Sequence, residues 1–465
     1  MSRQGPRFSG YRCSLCGAQY APETAGKGEA AAVRYLCPCD GACLDVVLDY
    51  PRLRRELEPR RGPEPRGDLR PADFPSPESS HWRYLPLLPV GDPGAQGTPL
   101  RRVGATPVYT LPALRQARGL PRLWLKDEGR NPTASLKDRA SSVVVVRARE
   151  LGAGMVVTAS TGNAGAALAG MAAALGQPAV VLAPRSAPPA KVAQMLVFGA
   201  RVMLVDGSYD QASALALEAS QELGWYCRST AYNPFTAEGK KTVAFEIWEE
   251  LLADAGAARA SGSGGAGVQP GERLSIFVPV GDGNIIAGLH KGFRDLEELG
   301  WLPVMPRIFG VQAEGSAAIA RAWQSGGEQI AAVRADTLAD SISVDLPADG
   351  LRALRAATRT GGAYLTVSDG EILEAIVELG GAGVFAEPAA AAAWAGLLAA
   401  LQRGLVGPTE PLLVLCTGNG LKDVDSARRA LGSRAGGAQH EAPIIEPTLA
   451  ALKALLRPAG VRREG

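Results

Sequence analysis

NPTASLKDR, Asn131 to Arg139, and STGNAGAA, Ser160 to Ala167, are the two stretches that decide the fold. The first follows a strand-like run, LWLK from Leu123 to Lys126, and leads into SSVVVVRARELG. The second follows the β-branched run MVVTAS and leads into AALAGMAAALG. Strand, turn and helix repeated in that order build parallel α/β sheets, whose ligands sit at the carboxyl ends of the strands. Lys137 falls at such a junction. A lysine that forms a Schiff base needs a partly desolvated ammonium with a lowered pKa, so that the free amine can add to a carbonyl. Taken alone, Lys137-Asp138-Arg139 also reads as a solvated charge cluster. Thr161-Gly162-Asn163 opens a helix whose first N–H groups lack intrahelical partners and attract anions, and the Asn163 amide can donate to a phenolate-like oxygen. Alone, that turn also reads as an ordinary capped connection.

Farther along, SIFVPVGDGNIIAGLHKGF carries a buried-type strand into Gly281, Asp282, Gly283, Asn284 and Ile285 and then a helix. Glycines let the backbone close around a phosphate, and a helix start supplies aligned N–H donors. Neither G-x-G-x-x-G nor G-x-x-x-x-G-K-[ST] is matched here or around Glu238 to Thr242, so the reading is a phosphate cradle of another type, with a plain tight turn as the alternative. PLLVLCTGNGLKD, Pro411 to Asp423, again ends a strand in a glycine-rich turn and puts Thr417 at the strand's carboxyl end. A neutral hydroxyl beside a pyridine nitrogen leaves it largely unprotonated, whereas a carboxylate would hold it as pyridinium. A helix N-cap threonine is the other reading.

Four such junctions in this order resemble the fold-type II pyridoxal-phosphate enzymes, and the wording is closest to the threonine synthase family. That family's N-P-T-G-S-F-K-D-R is met by NPTASLKDR, with Ala134 and Leu136 as departures, its S-T-G-N by Ser160 to Asn163, and its T-G-x-G-L-K-D by Thr417 to Asp423. KVAQMLVFGARVMLVDGSYDQA, YNPFTAEGKKTVAFEI and VFAEPAAAAAWAG add to a match that covers about Tyr11 to Leu455. The resemblance implies an α/β, fold-type II architecture with two doubly wound parallel-sheet domains and a small N-terminal zinc-ribbon-like module, and pyridoxal 5'-phosphate as cofactor. It assigns Lys137 as the catalytic lysine bonded to the cofactor, Asn163 to the ring hydroxyl, turn 281–285 to the phosphate and Thr417 to the pyridine nitrogen. Ser160 and Thr161 are expected to bind the substrate carboxylate, and Asn233 and Lys241 the substrate phosphate. The implied reaction is that of a lyase: O-phosphohomoserine and water give L-threonine and phosphate by γ-elimination and then β-addition of water, with Lys137 shuttling protons. Ala164, often Thr in the family, and Thr236, where some relatives carry Arg, remove expected phosphate contacts. β-Replacement or elimination on O-phosphoserine, serine or threonine therefore stays open, as does a non-catalytic binding protein on the same fold.

The rest of the chain agrees with a large enzyme. Its 465 residues, 46% hydrophobic and 21% charged, can bury a sizeable core. With 49 basic and 47 acidic residues the formal net charge is +2, which suits neither nucleic acid nor membrane as a partner. No stretch reads as a signal peptide or membrane span, so a cytoplasmic location is expected, and the resemblance suggests a homodimer. The three histidines, His81, His290 and His440, match no catalytic motif, which leaves proton transfer to Lys137. Five of the seven cysteines lie near the N-terminus. Cys13-x-x-Cys16 is half of a zinc ribbon, and Cys37, Cys39 and Cys43 are candidates to complete it, because Asp40 stands where the last cysteine is expected. The expected organisation is a ribbon at 1–50, a Pro/Arg-rich linker at 51–95, a large cofactor domain at 96–150 and 241–440, a small mobile α/β domain at 151–240, and a C-terminal helix and tail at 441–465. AARASGSGGAGVQPGER and SRAGGAQHEAP read as a flexible insertion and link.

Overall fold

The computed structural model describes residues 8–23, 33–57, 79–253, 267–432 and 442–456. The glycine-rich insertion and the link before the last helix fall mostly outside these residues, as does the middle of the expected linker. Thirteen strands occur in the described residues: β1 (Phe8–Cys13), β2 (Gln19–Tyr20), β3 (Leu44–Leu48), β4 (Val108–Tyr109), β5 (Leu123–Asp127), β6 (Val156–Ala159), β7 (Ala179–Pro184), β8 (Arg201–Val205), β9 (Tyr226–Cys227), β10 (Ser275–Pro279), β11 (Arg307–Ala313), β12 (Tyr364–Val367) and β13 (Leu412–Cys416). They form three sheets. A small antiparallel one runs β2-β1-β3, a six-stranded one runs β12-β11-β10-β13-β5-β4, and a four-stranded parallel one runs β8-β7-β6-β9. The six-stranded sheet is parallel except where the short edge strand β4 pairs with β5.

Parallel strands covered by helices on both faces must be apolar on both faces, and the residues divide with the strand's period of two. In β10, Ile276 and Val278 enter one core cluster and Phe277 the other; in β13, Leu413 and Leu415 oppose Leu412, Val414 and Cys416; in β5, Trp124 opposes Leu123 and Leu125. The carboxyl ends of β5, β6, β10 and β13 therefore carry the four turns singled out by the sequence.

The expected linker is narrower than its composition suggests. PRLRREL joins a helix, Tyr50–Leu57, that buries Leu53 and Leu57, one turn apart on a single face. His81–Leu87 is a 3₁₀ segment that buries Trp82, Tyr84 and Leu87. The N-terminal strands dock on the rest of the chain through Phe8 and Tyr11, whose rings meet Phe235 edge-on at 6.0 and 6.4 Å, and the helix after them through Tyr50, which donates to Asp295 at 2.7 Å. Arg352 donates to Asp45 of β3 at 2.6 Å. The last helix, Leu449–Leu456, buries no residue. Among the described residues no helix is long and apolar enough to cross a membrane.

Candidate active site

Lys137 begins the helix Lys137–Glu150, and the loop before it is anchored to the turn after β13. Leu136 N donates to Thr417 O at 2.9 Å, Asn419 N donates to Ala134 O at 3.1 Å, and Ser135 bridges Gly418. Ala134 holds φ +65°, a left-handed conformation that costs a residue with a Cβ about 1–2 kcal/mol. This explains the glycine of the family motif at that position. Beneath the loop, Arg139 is fully buried between Glu128 and Glu246, with Nε 2.6 Å from Glu128 and Nη1 2.6 Å from Glu246. The Lys-Asp-Arg triplet is therefore no solvated cluster: Asp138 and Arg139 turn inward and fix the helix start that carries the lysine.

Lys137 lines a cavity of about 340 Å³ together with Ser160, Thr161, Gly162, Asn163, Gly281 to Ile285 and Thr417. Ten of the twelve residues assigned from sequence to cofactor and substrate thus share one chamber. The lysine is surrounded by protein yet open to that chamber, and among the described residues its amine has no hydrogen-bond or ion-pair partner. Burial lowers its ammonium pKa, and Arg228 and Lys191 add to the effect, while Glu387 and Asp282 oppose it. A free amine is thus favoured at the one lysine whose motif calls for it.

The helix Asn163–Leu175 starts at the cavity wall. Ser160 Oγ accepts from Gly162 N at 3.0 Å and Gly165 N at 2.9 Å, so this hydroxyl caps the helix and Thr161 is left to face the chamber. Asn163 Nδ2 donates to both Glu387 oxygens, at 2.8 and 2.9 Å, and its Oδ1 is buried without a partner. Glu387 was not singled out by its sequence. It lies against Gly418, where a Cβ would come within 2.1 Å of its Oε1, so the turn after β13 must be glycine there. At the turn after β10, Gly283 has φ +91°, and a Cβ would meet Asp349 O at 2.8 Å. A Cβ on Gly281 would meet Ile342 Cα at 2.9 Å. The loop closes this tightly only because both positions lack side chains.

Two expected substrate residues lie elsewhere. Asn233 is fully buried and spends its side chain on Cys227 O and Phe235 N. Lys241 is ion-paired to Glu238 at 2.5 Å and Asp295 at 2.8 Å, away from the chamber. Its neighbour Lys240 lines the cavity instead. Gly239 makes this possible: a Cβ there would lie 1.9 Å from Arg139 O, so the helices Phe235–Lys240 and Lys137–Glu150 touch and bring Lys240 beside Lys137. Ala164 lines the chamber, but Thr236 is buried with its hydroxyl on Asn233 O, so position 236 faces away from any ligand there.

In the N-terminal module Cys13, Cys16, Cys37 and Asp40 bring their ligating atoms within 4.8 Å of one another. Cys39 and Cys43 stand outside that set. Cys39 meets the Tyr20 hydroxyl at 3.3 Å and Cys43 points to Ala348 O at 3.4 Å. The tight turn between Cys37 and Ala42, with Gly41 N donating to Cys37 O, folds Asp40 back over the sulfurs, so the aspartate itself takes the place of the missing cysteine.

Comparison with known proteins places this geometry. The model of the pyridoxal-phosphate dependent enzyme family matches residues 100–418. The chain is 34% identical to the threonine synthase of Methanocaldococcus jannaschii, over 90% of this chain and 94% of that one. It is 36% identical to the threonine synthase of Methanosarcina acetivorans, over 89% and 92%. Among solved structures, the processed threonine deaminase isoform 2 of Solanum lycopersicum superposes with a TM-score of 0.59 at 22% identity, covering 73% of this chain and 86% of that one, a likeness of fold.

Proposed function

Since this chain belongs to the pyridoxal-phosphate-dependent enzymes and, within them, to the threonine synthase family, we propose that it converts O-phosphohomoserine and water to L-threonine and phosphate in the chamber around Lys137. The observation that carries the reading is the unpartnered, desolvated Lys137 amine among the four turns that end β5, β6, β10 and β13. The residues present fit the cofactor. Asn163 has an orphaned amide oxygen, and its N–H₂ donates to Glu387 and, at 3.3 Å, to Ser341 Oγ. Turn 281–285 closes tightly at a helix start, and Thr417 faces the chamber from the end of β13.

Pyridoxal phosphate, when bound, supplies an aldehyde that bonds amines and a ring that draws electrons from the α-carbon. The protein's own part is then positional and acid-base. Lys137 Nζ, whose burial favours the free amine, would take the α-proton and then a β-proton as phosphate leaves the γ-carbon, and would return protons to the γ- and α-carbons as water adds at the β-carbon. Asn163 would orient the ring hydroxyl, Thr417 would place a neutral group beside the ring nitrogen, and the helix entry at Thr161 would bind the substrate carboxylate, with Ser160 holding that entry in shape. The N-terminal module would hold a structural zinc ion on Cys13, Cys16, Cys37 and Asp40, a donor set that suits a tetrahedral site. The enzyme works as a cytoplasmic homodimer, a state supported by the exposed apolar side chains Leu449, Leu452, Leu455 and Leu456 of the last helix.

The test is product analysis with purified protein and pyridoxal phosphate. We expect threonine and stoichiometric phosphate from O-phosphohomoserine, with O-phosphoserine, serine and threonine run alongside. Turnover of one of those three in place of O-phosphohomoserine would overturn the substrate assignment and leave Lys137 in its role.

A further inference from the structure

Six lysines are buried among the described residues: Lys126, Lys191, Lys240, Lys241, Lys291 and Lys422. Four of them meet carboxylates: Lys126 with Glu246, Lys191 with Asp340, and Lys241 and Lys291 with Glu238 and Asp295. A buried ammonium is costly without such a partner. Lys240 is only 2% exposed, yet it forms no ion pair among the described residues. Its single hydrogen bond is to Asn284 Oδ1, at 2.6 Å, in the turn after β10. Lys422 is also unpaired, but it lies outside the chamber and donates to Gln194.

The carboxylate beside Asn284 is already engaged. Asn284 Nδ2 donates to Asp349 Oδ2 at 2.7 Å, which fixes the amide's orientation, since a carboxylate accepts and does not donate. Asp349 in turn carries a bidentate pair with Arg352, at 2.5 and 2.7 Å. Arg352 reaches on to Asp45 of β3, which also pairs with Arg294 at 3.9 Å, so these two carboxylates meet two guanidinium groups without Lys240. Arg228, fully buried, forms no ion pair among the described residues and leaves its Nη2 unpartnered. Burial, Arg228 and Lys137 together push the Lys240 ammonium well below its ordinary pKa, against the weaker pull of Asp349 and Asp282. Asp282, in the same turn, faces Lys240 without forming an ion pair with it, so Lys240 and Arg228 are two buried cationic side chains near the turn that no carboxylate contacts directly among the described residues.

We propose that Lys240 is the counter-cation of a phosphate monoester dianion bound at turn 281–285, and that this dianion is the cofactor's phosphate. The assignment rests on the reading of the chamber as a pyridoxal phosphate site. Lys240 is fastened by hydrogen bonding to Asn284, a residue of that turn, so its cation sits at the cradle. A dianion there draws the ammonium back to its charged form and replaces its unmade ion pair with charge-assisted hydrogen bonds.

The test compares wild type with Lys240→Met and Lys240→Arg in ligand-free protein titrated with pyridoxal 5'-phosphate and, separately, with pyridoxal, which lacks the phosphate. Binding is read from cofactor absorbance, and thermal stability is recorded with and without cofactor. We expect Lys240→Met to weaken pyridoxal phosphate binding about 10- to 100-fold, the loss of one hydrogen bond to a charged group. Its pyridoxal affinity stays unchanged, and Lys240→Arg recovers most of the loss. The ligand-free Lys240→Met protein melts no lower than wild type, because it has shed an unpaired buried charge. A merely structural lysine would give the opposite sign in that last measurement. Unchanged pyridoxal phosphate affinity in Lys240→Met, with a raised KM for O-phosphohomoserine, would move the cation to the substrate's phosphate and overturn the proposal. Failure of wild type to bind pyridoxal phosphate at all would instead refute the reading of the chamber.

Discussion

Arg139→Met tests the platform under the reactive lysine. The guanidinium makes two hydrogen bonds to Glu128, at 2.6 and 2.7 Å, two to Glu246, at 2.6 and 2.7 Å, and one to Thr242 at 3.0 Å, all fully enclosed. Methionine fills much of the volume but leaves Glu128 without this cation and Glu246 with only Lys126, 2.9 Å away. Removing one side of a buried ion pair costs about 3–5 kcal/mol, a large share of the roughly 5–15 kcal/mol that holds a typical domain folded. Burial raises the Glu246 pKa, and Arg139 and then Lys126 more than reverse this, holding it below the usual carboxylate range. Its wild-type contribution is therefore present above the unfolded value of about 4.5 and is lost as pH falls through the depressed native value. Without Arg139 the native pKa of Glu246 rises, so the variant's deficit should be largest near pH 8 and shrink toward pH 4.5, where Glu246 takes up a proton. Urea denaturation at several pH values reads both the size and the trend. Adding Glu128→Gln and Glu246→Gln to Arg139→Met should restore part of the loss. A deficit below about 1 kcal/mol at pH 8, or one that grows on acidification, would refute the reasoning.

Lys137→Ala should abolish turnover and the cofactor's bound-state absorbance, while the ligand-free melting temperature holds or rises; retained turnover would remove Lys137 from the centre of the site. Ala134→Gly should stabilise the protein by about 0.5–1 kcal/mol, because relief of the left-handed strain exceeds glycine's added freedom in the unfolded chain; a loss in the denaturation midpoint would contradict the +65° backbone. His81 and His290 are held neutral by burial, with pKa values lowered from 6.5 to about 3 and about 4. The unfolded chain takes up protons first as pH falls, so stability should drop below about pH 6.5, each histidine adding about 1.4 kcal/mol per pH unit between pH 6 and 4. His290→Gln should flatten that slope by one such increment, and an unchanged slope would show that His290 is charged in the native state.

The four turns and Lys137 were legible because each rests on a local pattern: an apolar run, a turn residue that needs no Cβ, and a helix. Lys240 and Lys241 were not separable in that way. They are adjacent and chemically identical, and which one faces the chamber is decided by the contact of Gly239 with Arg139 O, which lies a hundred residues away in the chain. Asp40 looked like a lost ligand when counted by spacing; the turn that folds it onto Cys13, Cys16 and Cys37 depends on backbone hydrogen bonds that spacing does not record. Glu387 precedes an alanine-rich helix, Pro388–Gln402, and carries no local mark of its meeting with Asn163. The helix Tyr50–Leu57 was hidden by arginines, since only two leucines on one face make it a core element.

The bond from Arg352 to Asp45 joins residues 307 positions apart, and this separation governs how the protein is made. A ribosome adding 5–20 residues per second needs roughly 15–60 s to travel from one partner to the other. Through that interval the N-terminal module has emerged but lacks the surface it docks against, and Phe8 and Tyr11 wait as well for Phe235. During synthesis the module is therefore an early, unanchored piece with exposed aromatic side chains, and its final attachment waits until Arg352, in the helix Gly350–Arg359, has been made.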